Sequence, residues 1–437
     1  MNRRGLSFDS MPAFGIPFRF FVTAPIFGIL AALLLLLAEP SELTSRWTNL
    51  LLAATHAITL GFMLMVMYGA LFQVLPVLLG VSMPKEKLTS ALIHLCLVIG
   101  ILCLVAGLYS TNPSLLMIAG GTLALSFTLF LATFISRIPA MRNTPSSWAI
   151  RLAALSLLIT IGLGLSFVAG WVDASWFPNF RDFTNIHMLW GLIGWTLLLV
   201  MAVSFQIIPM FYVTPDYPKW LCRYLPAIVF VELVFVSVSS SSPIVGKLSL
   251  IILTLTTCIY PIYTLSLISK RKRKSREITL WFWNTAMISF LIAAIMFLWL
   301  LFYNGAYLAR LELILATLSL LGFVMALITG MLLKIVPFLV WMNLQQSWIK
   351  NPSTKMPLSN MQQVIPNPQA KRQYWLFMLM FALIIALMAG AQSHWLLKLI
   401  AVIMLANFSY LLYNLIKAKG LYNRLASDLE ANKPTPN

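Results

Sequence analysis

The sequence predicts an all-α polytopic membrane protein, with twelve transmembrane helices in three pseudo-threefold units of four. Three observations predict it. Of 437 residues, 60% are hydrophobic and 10% charged, a balance outside the range of soluble globular domains and typical of chains whose helices face lipid. The apolar residues fall into repeated runs, and at about 1.5 Å of rise per residue each is long enough to cross a hydrocarbon core. The third observation is a repeat. Gly61 stands twelve residues before Gln73-Val-Leu-Pro76, Gly194 twelve before Gln206-Ile-Ile-Pro209, and Gly322 twelve before Lys334-Ile-Val-Pro337. A glycine, a polar residue and a proline that keep their spacing three times mark an internally repeated membrane chain.

The predicted spans are 17–38, 48–80, 89–109, 113–136, 148–172, 184–212, 219–240, 244–269, 278–303, 309–341, 373–391 and 394–416. Grouped by four they give units of about 14–136, 148–270 and 278–417 within a single transmembrane domain, 1–437. The second helix of each unit is the long one and carries the repeat. The first run opens near Pro17 without a small-residue cleavage site, so it reads as a retained helix, not a signal peptide. The stretch 343–372 is rich in Asn, Gln, Pro and Ser and reads as a cytoplasmic loop, while 426–437 reads as a disordered tail.

The net charge of +18 would suit a nucleic-acid binder on a soluble domain. Here the cations fall between the spans. With the N-terminus inside, the inner connections hold Arg3, Arg4, Lys85, Lys87, Arg137, Arg142 and the run Lys270-Arg-Lys-Arg-Lys274. The outer ones hold only Arg46, Arg181, Lys247, Arg310 and Lys398. This bias orients the chain with both termini cytoplasmic, in what is expected to be a bacterial inner (plasma) membrane. The run at 270–276 then reads as a solvated topology anchor. The expected partner is the lipid bilayer, not nucleic acid, and no protein partner is indicated. Cys96, Cys103, Cys222 and Cys258 lie in or beside apolar runs, so no disulfide framework is implied.

Ionisable side chains in hydrocarbon are costly, which makes each one a candidate site residue. His56 falls in the outer third of span 2, His187 near the outer end of span 6, and Glu232 about two turns from the outer end of span 7. Together they outline a metal, haem or proton site, with His56 and His187 as cofactor ligands and His187 with Glu232 as a metal pair. The plainer readings are a histidine bonded to a neighbouring helix and a protonated Glu232 bonded to a backbone carbonyl. Arg310 and Glu312, at the outer start of span 10, read as an interfacial pair.

His56 precedes its glycine by five residues and His187 by seven. Two residues rotate a straight helix by about 200°, so the rings differ in role or a helix is locally irregular. Toward the cytoplasm, Gln73, Gln206 and Lys334 form a polar inner path. Alternatively they are locks on carbonyls freed by the prolines, with Lys334 snorkelling to the surface. His94, near Cys96 and Cys103 on span 3, is a poor metal clamp and reads as core, while His394 reads as solvated. Met65 is a candidate axial ligand. No P-loop, dinucleotide fingerprint, nucleophile elbow or zinc-protease motif is present.

Twelve helices in three units, with Thr55-His56-Ala-Ile-Thr-Leu-Gly61 on the second and His187-Met-Leu-Trp-Gly-Leu-Ile-Gly194-Trp195 on the sixth, resemble subunit I of the haem–copper oxidase superfamily. Phe14-Gly-Ile-Pro-Phe-Arg-Phe-Phe21 also looks like the start of helix 1 in the related haem- and copper-containing nitric-oxide-response membrane proteins. The resemblance implies that His56 matches a low-spin haem ligand and His187 a copper ligand. It departs where that superfamily has a histidine pair on helix 7 and two histidines on helix 10. Helix 7 here offers Glu232, and helix 10 offers Met325, Met331 and Lys334. The implied function is haem or copper binding without oxygen-reducing activity. The rivals are a proton-linked transporter or channel and a cofactor-free membrane scaffold.

Overall fold

A computed structural model describes residues 12–239, 242–273, 277–350, 358, 360–390 and 393–431. Among them, twelve helices are long and apolar enough to cross a membrane: α1 Gly15–Leu37, α2 Asn49–Val77, α3 Glu86–Ser110, α4 Pro113–Ala140, α5 Pro145–Val172, α6 Phe180–Tyr212, α7 Lys219–Ser239, α8 Pro243–Ser269, α9 Ile278–Leu300, α10 Leu308–Ile349, α11 Asn367–Met388 and α12 His394–Ala431. The protein is a multi-pass membrane protein with twelve candidate spans, and those spans imply contact with a lipid bilayer. Local chemistry fixes several starts. The Thr48 hydroxyl accepts from the Leu51 N–H, and the Asn112 side-chain oxygen accepts from the Ser114 and Leu115 N–H groups. Thr144 and Ser147 form a reciprocal capping box. Each such cap contributes about 1 kcal/mol.

The differences from the sequence-based bounds concentrate in the last three helices. Helix α10 runs on to Ile349 and α11 begins at Asn367, so both ends of the expected loop 343–372 are helix. Its polar composition is misleading because Leu339, Val340, Met342 and Leu344 continue a buried face past the predicted end. Of the remaining connection, 351–357 and 359 lie outside the described residues; Leu358, Val364 and Ile365 are buried. Residues 426–431 of the expected disordered tail are also helical, and 432–437 lie outside the described residues. Helix α12 persists because Leu421, Tyr422, Leu425 and Leu429 recur every three or four positions and pack on the core. Tyr422 stacks on Phe14 with ring centroids 4.0 Å apart.

The three repeat carriers are the most buried helices. The central windows of α6, α2 and α10 are 78%, 67% and 56% buried, whereas no other helix exceeds 44%. Each carries a π-helical stretch around its repeat glycine: Ala57–Leu64, Trp190–Leu197 and Thr317–Met325. Each glycine backs onto the helix that opens its own unit: Gly61 onto Phe27 of α1, Gly194 onto Ser156 of α5, and Gly322 onto Ser289 of α9. A Cβ at any of the three would collide with its partner, so the close helix approach requires glycine. Eight residues on, Gly69 meets Phe20 and Phe21 of α1 as Gly330 meets Phe282 of α9. The spacing read from sequence therefore corresponds to repeated packing, and all three carriers are locally irregular, one of the two alternatives left by the unequal histidine spacing.

One end of the bundle gathers the starts of α2, α6, α10 and α12 with the end of α1. Lys398 donates to the Leu36 and Ala38 carbonyls there. Arg46 donates to Asn185 at 2.9 Å and pairs with Glu312 at 3.6 Å, tying the approach to α2 to both α6 and α10. Glu312 is thus partnered by Arg46 and not by Arg310, whose guanidinium lies over the Tyr307 ring and beside Gly390. This is the histidine end. The opposite end, where Lys334 lies, joins the end of α6 to the starts of α9 and α11.

Candidate functional site

Helices α2 and α6 bring His56 and His187 to the histidine end, each on the regular turn or turns that precede its π stretch. His56 Nδ1 lies 2.8 Å from the Leu52 carbonyl of its own helix. His187 Nδ1 lies 3.1 Å from the Thr160 carbonyl of α5. A carbonyl can only accept, so both rings carry their proton on Nδ1. Nε2 is then the lone-pair nitrogen of each, and it has no hydrogen-bond partner among the described residues. Both rings are half-buried. The Phe167 ring packs edge-on to His187 at 5.3 Å, and Trp190 is anchored to Ser237 of α7.

The other polar candidates are placed differently. Glu232 is half-buried between α7 and α8, where its Oε1 accepts from Thr256 at 2.8 Å and its Oε2 has no partner among the described residues. The structure thus gives Glu232 a partner on α8 in place of the expected pairing with His187. His94 is half-buried and held by α1: the Thr23 hydroxyl donates to the Arg19 carbonyl and accepts from His94 Nε2 at 2.9 Å. His394 is exposed and bonds Glu39 at 3.3 Å. Met65 is fully buried. Among the described residues, no three His, Cys, Asp or Glu side chains come together as a metal cluster.

At the lysine end, Lys334 does not snorkel. It is buried, and its Nζ is 2.6 Å from Glu277 Oε2 in an ion pair with 7% of each side chain exposed. The ammonium also lies over the Phe211 and Tyr212 rings at 5.4 and 5.2 Å. A nearby buried carboxylate and two aromatic faces hold the cation better than a stretched route to the surface. Beside the pair is a cavity of about 30 Å³, lined in part by Thr279, Gln362 and Asn367, with room for a water or two. Gln73 and Gln206 lock no kink: neither makes a side-chain hydrogen bond among the described residues, and the Oε1 of each is buried without a partner.

Glu277, Thr160 and Leu52 escaped the sequence reading. Glu277 sits one residue before α9, at the edge of the apolar run. Lys334 inside an apolar run was the available signal, since a buried cation calls for an acid at similar depth. Leu52 and Thr160 act through backbone carbonyls, which leave no mark on side-chain patterns. No protein-family model matches this sequence, and no curated protein matches it closely enough to count as a relative.

Proposed function

We propose that this is an inner-membrane protein of haem–copper oxidase subunit I-like fold, with three units related by a pseudo-threefold axis and both termini cytoplasmic. It binds haem or copper through Nε2 of His56 and His187 and does not reduce oxygen. One observation carries the reading: two imidazoles on the two most buried helices each commit Nδ1 to a carbonyl and keep Nε2 unpartnered. Orienting the ring through its other nitrogen is how proteins prepare a histidine for a metal. The repeated glycine contacts and π stretches support the threefold arrangement; π stretches inside helices are frequent at functional sites.

The donor set fits one haem iron or one copper ion on imidazole nitrogen. It does not fit a binuclear oxygen-reducing centre. Helices α7 and α10 carry no histidine. Glu232 on α7 is engaged by Thr256, and the Met331 sulfur on α10 accepts from Trp283 Nε1. When bound, the metal supplies redox or small-gas chemistry. The chain holds the two rings in a fixed tautomer and packs Phe167 edge-on to His187.

A second reading, a proton-linked transporter, draws on one observation: the buried Lys334–Glu277 pair beside a small cavity. Absorption spectroscopy and metal analysis of the protein in detergent separate the two. The haem arm predicts a Soret band and the copper arm stoichiometric copper, each lost in His56→Ala and His187→Ala. Absence of both after loading with haemin or copper rejects cofactor binding and leaves the transporter and the cofactor-free scaffold.

A further inference from the structure

We infer that α5 contains a seat for the His187 ring, made by Thr160, Gly164 and Phe167, and that Gly164 is a positioning residue that sets which nitrogen of His187 is presented. The meaning of the presented nitrogen rests on the metal or haem reading above; the seat itself does not.

The three residues follow one another at spacings of four and three, so they share one face of α5. Thr160 supplies the acceptor for Nδ1 at 3.1 Å. Its carbonyl has a second lone pair, so it can take the imidazole N–H in addition to a helical hydrogen bond. One turn on, Gly164 lets the ring pack close against α5. A Cβ built there would lie 3.2 Å from His187 Cε1 and 3.9 Å from Nδ1, and no other atom comes within 4 Å. Phe167 then closes the seat with its ring edge-on at 5.3 Å. The glycine is therefore matched to the histidine ring alone. From the α6 side, Gly191 lies against the Thr160 methyl, where its own Cβ would be 3.3 Å away.

The comparison with the other histidines sharpens the inference. His56 has its Nδ1 acceptor in its own helix, four residues back, a bond that needs no neighbour. His94 is held through the opposite nitrogen, Nε2, by Thr23. Only His187 has its Nδ1 bound by a facing helix that also carries a glycine fitted to the ring. His187 is accordingly the pre-oriented ligand of the pair, and His56 the one that adjusts.

The test is nitrogen NMR of the full chain in lipid bilayers with ¹⁵N-histidine, which is tractable because the sequence has four histidines. His187 is expected as the Nδ1–H tautomer and His94 as the Nε2–H tautomer. Gly164→Ala, and more strongly Gly164→Val, is expected to push His187 into a tautomer mixture while His94 is unchanged. Gly162→Ala serves as the control, because a Cβ there meets nothing within 4 Å; it is expected to leave all four signals unchanged.

The second measurement is titration with copper and, separately, haemin. Gly164→Ala is expected to weaken binding by roughly 10–100-fold, the range for loss of an orienting partner, with Gly162→Ala binding as the parent. An unaltered His187 tautomer in Gly164→Val overturns the seat, whatever the metal does. A tautomer change with no binding of either probe by the parent protein keeps the seat and rejects the metal reading.

Discussion

Lys334 and Glu277 form a buried ion pair whose members depend on each other. Removing one partner of such a pair leaves an uncompensated charge and costs about 3–5 kcal/mol, whereas replacing both with apolar residues of similar volume is often close to neutral. Lys334→Met and Glu277→Gln are therefore each expected to lower thermal stability in detergent, and Lys334→Met with Glu277→Leu to recover most of the loss. Equal losses from the single and double variants would contradict the pairing. At this scale the sequence exposes the rare polar residue in an apolar run, which is why His56, His187 and Lys334 stand out. It does not expose their partners. Leu52 and Thr160 contribute only carbonyls, and Glu277 becomes recognisable only when α9 and α10 are packed side by side.

The element that distinguishes this fold is the long, π-interrupted helix, used three times. Its glycines tolerate no side chain, because Ser156 and Ser289 occupy the space beside Gly194 and Gly322. Overpacking a core position of this kind costs typically 1–3 kcal/mol. Gly194→Val and Gly322→Val are expected to fall in that range by thermal unfolding in detergent. Gly121→Ala on α4, where a Cβ meets nothing within 4 Å, is expected to be neutral or stabilising by up to about 1 kcal/mol. Matching behaviour at all three sites would break the packing account. The spacing of glycine, polar residue and proline was legible in the chain because glycine and proline have fixed conformational meanings. The π stretches were not, since an added residue in a turn needs no particular side chain and shows only when the hydrogen bonds are followed. The same lack of signal misplaced the ends of α10 and α12, where polar sequence continues a buried stripe.

For the whole molecule, twelve apolar candidate spans follow from the sequence pattern, and if all twelve cross the bilayer, both termini lie on one side of it. The excess of lysine and arginine in alternate connections predicts which side. Reporter fusions after Asn437 and within 351–357 are both expected to give cytoplasmic signals; a periplasmic signal from either would contradict the charge argument. On the proposed reading, the two most buried helices hold one metal between their histidines. X-ray absorption at the iron or copper edge of the purified, loaded protein tests it most directly. Two imidazole nitrogens are expected in the metal's shell, falling to one in His56→Ala and one in His187→Ala. A shell without imidazole scattering, or one unchanged by both substitutions, would contradict it.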